Sequence, residues 1–338
     1  MKTMLITGGL GFIGSSIARS YCDTGEYQKI IVLDNLARGS TENIADIRDK
    51  VSVVFADLRD KEACRSAFLG VHTVIHLAAV VGGISLYERK PYTVAFDNTI
   101  IDCNVLSLSK ESGVTNFFYA SSTHVYPHHL QMNCDARPLK ESDANNRGQY
   151  LSYGVEKLYM EDMLSYAHKQ DQRINIAIAR YCGIFGPNQD IDLNNASLIP
   201  AMCNRAYSYP DERYMIRGDG KETRSYCYID DAVEATKLMI DNLESRKFIG
   251  PYNVGSTDTY SVYEIASLIA DVSGKGMEVE FDLSITASIL GQSCSIDAIK
   301  QDLGWFPRTP FKEGLSKVYN NIGERIDNVG KKISTNLE

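Results

Sequence analysis

Tyr153 and Lys157 stand one helical turn apart, and together they can transfer protons. Their spacing puts both side chains on one face of a helix. A free tyrosine has a pKa near 10, and a nearby ammonium group favours its phenolate at neutral pH. About one Tyr-x-x-x-Lys pair is expected by chance among 20 tyrosines. The position of the pair in the fold therefore decides its meaning.

The pair comes after an apolar segment that ends in the polar residues Ser121-Ser122-Thr123-His124. Doubly wound α/β folds bind their ligands at the carboxyl ends of such strands. Histidine has an unperturbed pKa near 6.5 and exchanges protons readily around neutral pH. We therefore expect Ser122 and His124 to lie in one site with Tyr153 and Lys157.

A glycine-rich turn, Gly8-Gly9-Leu10-Gly11-Phe12-Ile13-Gly14, joins the first predicted strand to a helix. Glycines permit a tight turn, and the free N–H groups of a helix N-terminus bind a pyrophosphate. The second strand ends at Asp34, whose carboxylate can accept hydrogen bonds from the adenosine ribose of NAD. Arg38 could instead pair with the extra phosphate of NADP, which Asp34 would repel. The pattern favours NAD.

Strand-like and helix-like segments alternate through the first half of the chain, which predicts an α/β fold: a doubly wound parallel sheet of the Rossmann type. The expected strands are 3–7, 29–34, 51–56, 73–77, 116–121 and 174–180, and the expected helices are 12–24, 61–69, 153–169, 231–243 and 262–272. Residues 190–228 are expected to be loop-rich and polar. We expect an NAD-binding domain over 1–180 and a smaller, mixed substrate-binding region over 181–338, interleaved with the first.

The composition excludes several classes of partner. The chain has 338 residues and a formal net charge of -8, with scattered lysines and arginines, so we expect no nucleic-acid binding. Its eight cysteines lack disulfide or zinc spacing, which indicates reduced thiols, and no metal site is expected. Neither a signal peptide nor a membrane span is recognisable, which predicts a cytoplasmic protein.

Several further motifs share the order of one enzyme family. With the glycine turn and Tyr-x-x-x-Lys, the chain resembles the extended short-chain dehydrogenase/reductase family of NAD-dependent nucleotide-sugar epimerases, dehydratases and reductases. The further motifs are Asp57-Leu58, His76-Leu77-Ala78-Ala79, Gly218-Asp219-Gly220, Thr223-Arg224-Ser225-Tyr226, Tyr228-Ile229-Asp230-Asp231 and Tyr252-Asn253-Val254-Gly255.

The resemblance implies a chemistry for each catalytic residue. Tyr153 takes the proton of the sugar 4-hydroxyl while C4 passes a hydride to the nicotinamide. Lys157 favours the phenolate and holds the nicotinamide ribose, and Ser122 hydrogen-bonds the 4-oxygen. The cofactor-binding residues implied are Gly8, Gly11, Phe12, Ile13, Gly14, Asp34, Asn35, Asp57, Leu58, Leu77, Ala78, Ala79, Tyr153 and Lys157.

Thr123 and His124 bear on the fate of the sugar after oxidation at C4, because a 4-ketone acidifies the protons at C3 and C5. The family's 4,6-dehydratases resemble one another in carrying Asp-Glu at these two positions, so dehydration is disfavoured. GDP-mannose 3,5-epimerases and GDP-fucose synthases carry a proton-exchanging cysteine at the position of His124, and a Val-Gly-Gly-Ile stretch like residues 81–84. The local resemblance is therefore strongest to these enzymes of GDP-sugars.

Two positions depart from that pattern. Asp192 stands where those enzymes have a second acid/base, and Gln292 stands near an expected phosphate-binding arginine, which leaves Arg224 for the diphosphate. The substrate-binding residues implied are Gly82, Gly83, Thr123, Asp192, Asn195 and Arg224. Relatives also dimerise through the Tyr-x-x-x-Lys helix and its neighbour, here about 92–111, so a homodimer is expected.

The leading hypothesis is a GDP-sugar 3,5-epimerase, and the first alternative is a UDP-hexose 4-epimerase. The alternative needs only Ser122, Tyr153 and Lys157 and makes His124 a residue of the pocket wall. A 4-keto reductase would consume NADPH, which Asp34 disfavours, and a decarboxylase would want a pocket arginine. A non-catalytic nucleotide-binding protein could lose the Tyr-Lys pair, which is retained here.

Overall fold

The computed structural model of the chain describes residues 2–82, 84–145, 148, 151–193, 196–284 and 289–335. The side chains of 84, 85 and 329–335 are not described. Within this part of the chain, no helix combines the length and apolar character needed to cross a membrane.

The strands, in chain order, are β1 Thr3–Thr7, β2 Lys29–Asp34, β3 Ser52–Phe55, β4 Thr73–His76, β5 Asn116–Ser122, β6 Asn175–Tyr181, β7 Ile184–Phe185, β8 Met215–Arg217, β9 Thr223–Ser225, β10 Cys227–Tyr228, β11 Phe248–Val254, β12 Thr259–Ser261, β13 Glu280–Asp282 and β14 Gly291–Gln292. The α-helices are α1 Phe12–Cys22, α2 Lys61–Cys64, α3 Ile84–Arg89, α4 Pro91–Glu111, α5 Ser152–Gln170, α6 Leu198–Ser208, α7 Ile229–Asp241, α8 Leu243–Arg246, α9 Val262–Ser273, α10 Asp297–Leu303 and α11 Phe311–Thr335.

One parallel sheet dominates the described residues, with the strand order β11-β6-β5-β4-β1-β2-β3. Its strands are short apolar runs because both faces are covered by helices. Alternate residues of β1 enter different cores: Met4 and Ile6 pack on one face, and Leu5 packs on the other. The doubly wound fold is confirmed, and the expected strands agree with the observed ones to within one or two residues.

The carboxyl ends of β1, β4 and β5 form the edge that carries the site. On one face α1 packs against α7, and on the other α4 packs against α5. Strand β11 lies beyond residue 180, yet it pairs with β6 in the main sheet. Residues 181–338 thus contribute both to this sheet and to the small sheets β12-β9-β14 and β13-β8.

The prediction that residues 190–228 are loop-rich and polar is wrong for the middle of this range. Residues Leu198–Ser208 form the helix α6, which buries Ile199, Met202, Cys203 and Ala206 at helical spacing. Pro200 makes this helical spacing hard to recognise in the sequence, although proline is tolerated in the first turn of a helix. Helix α6 packs on α9 and α11.

Candidate active site

The glycine-rich turn brings β1, α1 and the β4 loop into close contact. Gly8 has φ +66, and a Cβ there would lie 2.9 Å from the backbone N of Ala78. A Cβ on Gly14 would lie only 2.4 Å from the carbonyl oxygen of Gly8. Helix α1 has no side-chain cap at Gly11 and no acidic residue in its first turn. Its N-terminal amides therefore suit an anion such as the pyrophosphate of NAD.

The carboxylate of Asp34, expected to bind the adenosine ribose, lies at the carboxyl end of β2. It accepts hydrogen bonds from the backbone N–H groups of Leu10 at 3.1 Å and Leu36 at 2.8 Å. Arg38 is already engaged, because its guanidinium donates to the Val81 carbonyl at 2.7 Å and to Asp190 at 3.1 Å. The site therefore offers a ribose-binding carboxylate and no unengaged cation at Arg38 for an NADP phosphate.

A cavity of about 630 Å³ runs along the carboxyl edge of the sheet. Its lining includes every expected cofactor-binding residue except Lys157, together with Ser122 and Gly82. Sequence reasoning missed several polar residues of its wall. These are Asn43, Arg59, Asp97, Asn188, Gln189, Asp190 and Ser197.

Asp57 and Arg59 form an ion pair on this wall, with a distance of 2.7 Å between guanidinium and carboxylate. Hydrogen bonding to Arg59 lowers the pKa of Asp57 to about 2. Asn35 also donates to Asp57, at 3.3 Å. Asp57 is therefore an ionised hydrogen-bond acceptor at neutral pH.

Three aromatic rings meet at Tyr153, the tyrosine predicted to be catalytic. Tyr153 stacks on Tyr87 with a centroid distance of 4.9 Å and an interplanar angle of 2°. His124 meets both rings edge-on, at 5.6 Å from Tyr153 and 5.3 Å from Tyr87. Ser122 accepts the backbone N–H of His124 at 3.2 Å and caps the short 3-10 helix after β5. The expected grouping of Ser122, His124 and Tyr153 is present.

Gly154 makes this grouping possible. A Cβ at this position would lie 1.8 Å from the carbonyl oxygen of His124. The start of α5 can therefore approach the end of β5 only without a side chain there.

Substituting Gly154→Ala is expected to lower the free energy of unfolding by about 3 kcal/mol, because backbone must move to admit the methyl group. Urea denaturation measures this loss. Gln170→Ala is the matched control, since Gln170 is exposed at the end of the same helix and the change should be nearly neutral. Equal stability of the two variants would contradict the close approach.

Burial keeps the imidazole of His124 in its neutral form. Desolvation lowers its pKa to about 4, helped by the charges of His128 and Arg224. Its Nδ1 atom is buried and has no hydrogen-bond partner among the described residues. His124 is therefore neutral at pH 7 and carries a nitrogen that none of those residues engages.

Lys157 lies beside Tyr153, with its ammonium group 5.6 Å from the ring centroid, but it is absent from the cavity lining. Its ammonium group donates to the Tyr119 hydroxyl at 2.8 Å and lies 3.7 Å from Asp102, behind the cavity wall. Burial raises the pKa of Tyr153 well above its ordinary value, and Lys157 does not offset this here. The physical reason is competition, because the buried Asp102 carboxylate and Tyr119 hold the ammonium. Lowering the pKa of Tyr153 remains a prediction for the ligand-bound enzyme.

The expected substrate residues fall into three groups. Gly82 lines the cavity, and its N–H donates to the Tyr87 hydroxyl at 3.2 Å. Thr123, Asp192 and Arg224 are absent from the cavity lining. Asp192 is exposed, and Thr123 is buried. Gly83 and Asn195 lie outside the described residues.

Arg224 is tied to backbone rather than presented to a diphosphate. Its guanidinium donates to the carbonyl oxygens of Thr223 and Ile289, each at 2.8 Å. Gln292 donates to Gln131 at 2.7 Å. Binding a diphosphate at Arg224 would require these backbone hydrogen bonds to be exchanged.

Comparison with known proteins identifies the family of this site. Residues 4–255 match the NAD dependent epimerase/dehydratase family. The chain belongs to that family. GDP-mannose 3,5-epimerase from Arabidopsis thaliana is 31% identical over 322 residues, which cover 95% of this chain and 82% of the relative. UDP-glucuronic acid decarboxylase 1 from the same plant is 25% identical, over 96% of this chain and 71% of the relative.

Solved structures of the family agree with the fold. UDP-glucose 4-epimerase from Thermus thermophilus, in complex with NAD, has a TM-score of 0.79 and 25% identity, and covers 95% of this chain and 98% of that chain. The Thermotoga maritima UDP-glucose 4-epimerase, with UDP-glucose, has a TM-score of 0.83 and 24% identity, and covers 96% and 99%. The protein is therefore an enzyme of this NAD-dependent epimerase/dehydratase family with NAD as its cofactor, as the sequence predicts.

Proposed function

We propose that the protein is a GDP-hexose 3,5-epimerase that acts through a 4-keto intermediate. The observation that carries this proposal is His124, a neutral imidazole with an unpartnered buried nitrogen, lying edge-on to Tyr153. A 4-epimerase has no need of a proton acceptor at this place. The similarity to GDP-mannose 3,5-epimerases over most of the chain supports the same assignment.

Each proposed step uses a residue that the site contains, except the delivery of a proton to the opposite face of the carbon, which solvent supplies. Bound NAD supplies a reversible hydride acceptor for C4. Tyr153, as phenolate, takes the proton of the 4-hydroxyl, and Ser122 donates a hydrogen bond to the 4-oxygen. With C4 a ketone, His124 removes a proton from the adjacent carbon, and the electron pair of that C–H bond moves into the enolate. A proton delivered to the opposite face inverts the carbon, after which C4 regains its hydride and its hydroxyl proton.

The substrate assignment is tested by separate incubations with GDP-mannose, UDP-glucose and UDP-galactose in the presence of NAD. Each product is identified by NMR. We expect GDP-mannose to yield GDP-hexoses inverted at C5 or C3. Interconversion of the two UDP-hexoses with GDP-mannose unchanged would contradict the proposal.

A UDP-hexose 4-epimerase is the second candidate, and one observation favours it. Among the described residues, the cavity lining includes no histidine and no lysine: His124 is absent from it, and so is a second group to return a proton to the opposite face. Asp192, at the position of the family's second acid/base, is exposed. The substrate incubations separate the two candidates, because only the 4-epimerase interconverts UDP-glucose and UDP-galactose.

We also propose that two copies form a homodimer through α4 and α5. Helix α4 exposes Tyr92 and Phe96, which are 74% and 50% accessible and stack on each other. Helix α5 exposes Val155, Tyr159 and Tyr166, which are 52%, 50% and 60% accessible. Their spacing puts each set on one face of its helix. Adjacent exposed apolar faces of this kind are typical of protein interfaces.

The double variant Phe96→Glu/Tyr159→Glu is expected to be monomeric, because it places four buried carboxylates in the proposed interface. Light scattering coupled to gel filtration gives the mass. Leu283→Glu is the control, since Leu283 is 72% exposed directly after β13, which packs on β8. A wild-type monomer, or a double variant that remains dimeric, would overturn the proposed interface.

A further inference from the structure

We propose that Arg38 and Asp190 form a latch that retains NAD in its cavity throughout the catalytic cycle. The latch consists of these two side chains and the carbonyl group of Val81. The guanidinium of Arg38 donates one hydrogen bond to Val81 at 2.7 Å and one to Asp190 at 3.1 Å. These contacts tie together three loops, which come after β2, β4 and β7.

The strand order shows what the latch crosses. Strand β1 lies between β2 and β4 in the sheet. Arg38 comes after β2 and Val81 after β4, so their hydrogen bond passes across the carboxyl end of β1. The glycine-rich turn begins there at Gly8. Neighbouring strands are about 4.8 Å apart, so β2 and β4 are about 9.6 Å apart, and the two loops together with the Arg38 side chain span this distance. All three latch residues line the cavity. The Arg38 side chain therefore bridges the cavity beside the expected pyrophosphate site.

The chemistry of the family requires that the reduced cofactor stay bound during a turnover, and such a bridge would retain it. An epimerase returns the hydride that it removes, so a turnover fails if the reduced cofactor leaves between the two transfers. Reductases that exchange their cofactor after every turnover have the opposite requirement. Loops that are hydrogen-bonded to each other across the cavity slow exchange of the cofactor, because these hydrogen bonds must break before the dinucleotide can pass. The inference rests on NAD binding alone and needs no particular sugar substrate.

The strength of the latch is modest. The side chains of Arg38 and Asp190 are 38% and 32% exposed, and exposed ion pairs contribute little free energy. The guanidinium is held at two points, however, and charge-assisted hydrogen bonds are stronger than neutral ones. We therefore expect breaking the latch to raise the rate of cofactor release about ten-fold.

The test measures release of NADH from the full-length protein. The enzyme is loaded with NADH, and its fluorescence is followed after addition of excess NAD. Arg38→Ala loses both hydrogen bonds and should speed the release about ten-fold, whereas Asp190→Ala keeps the bond to Val81 and should speed it less. The double variant should be no faster than Arg38→Ala, because Asp190 acts only through Arg38. Lys50→Ala is the matched control, since it breaks an exposed ion pair with Asp23 that lies off the cavity lining.

Each other outcome overturns the latch. If Arg38 acted by binding the pyrophosphate directly, Arg38→Ala would speed release while Asp190→Ala would leave it unchanged or slower. Unchanged release in both variants would show that the bridge does not limit exchange. Because no sugar is present in this experiment, its result is independent of whether the enzyme acts on GDP-hexoses.

Discussion

Replacing Tyr153 with phenylalanine is expected to lower kcat about 1,000-fold, because the variant keeps the ring but loses the group that takes the 4-hydroxyl proton. The ring stacks on Tyr87 and is buried, so the phenylalanine should preserve the packing of the site. Turnover of the identified substrate, measured with NAD saturating, gives the effect.

The matched control for this prediction is Tyr263→Phe on α9, outside the cavity lining. Tyr263 is 48% exposed, and loss of its hydroxyl should leave kcat within about two-fold of the wild type. NADH fluorescence should show that Tyr153→Phe still binds the cofactor. A Tyr153→Phe enzyme that retains more than about a tenth of wild-type activity would contradict the role of Tyr153 as the base at C4.

His124→Asn is expected to abolish proton exchange at the carbons beside the ketone while leaving oxidation at C4 intact. General-base catalysis contributes about 100-fold or more, so deuterium uptake from heavy water should fall by at least that factor. Reduction of bound NAD in a single turnover reports C4 oxidation separately. His129→Asn is the control, because His129 is an exposed histidine in the next short helix.

The pH dependence of proton exchange at carbon follows from the pKa of His124. The base is the neutral imidazole, and desolvation lowers the pKa of His124 to about 4. Exchange limited by His124 should therefore persist as the pH falls through 6.5, the ordinary histidine pKa, and decline only near pH 4. A decline centred on pH 6.5 would show that the exchanging histidine is solvated.

Local sequence patterns are sufficient for the sheet and for the cofactor site. The strands are continuous apolar runs, and the glycine turn is recognisable from its own residues and from the strand and helix that it joins. The need for glycine at Gly154 is not local, because it arises from the His124 carbonyl of a distant segment. Local patterns do not predict helix α6, because Pro200 and polar residues interrupt its apolar positions.

The remaining features depend on contacts between distant segments. The stack of Tyr87 on Tyr153 joins two helices that no local pattern relates. The family resemblance directs Lys157 toward the cofactor, but a buried carboxylate at Asp102 attracts its ammonium group, at 3.7 Å. The partnership of Arg38 with Asp190 joins segments far apart in the chain and determines whether a basic residue after β2 is available to a phosphate.

Deuterium incorporation tests the central claim most directly. The enzyme is incubated with GDP-mannose and NAD in heavy water, and the sugar protons are followed by NMR. The proposed function predicts deuterium at C5 or C3, in both recovered substrate and product, and its loss in His124→Asn. Turnover of a nucleotide-sugar with inversion at C4 and no deuterium on carbon would contradict it and establish a 4-epimerase.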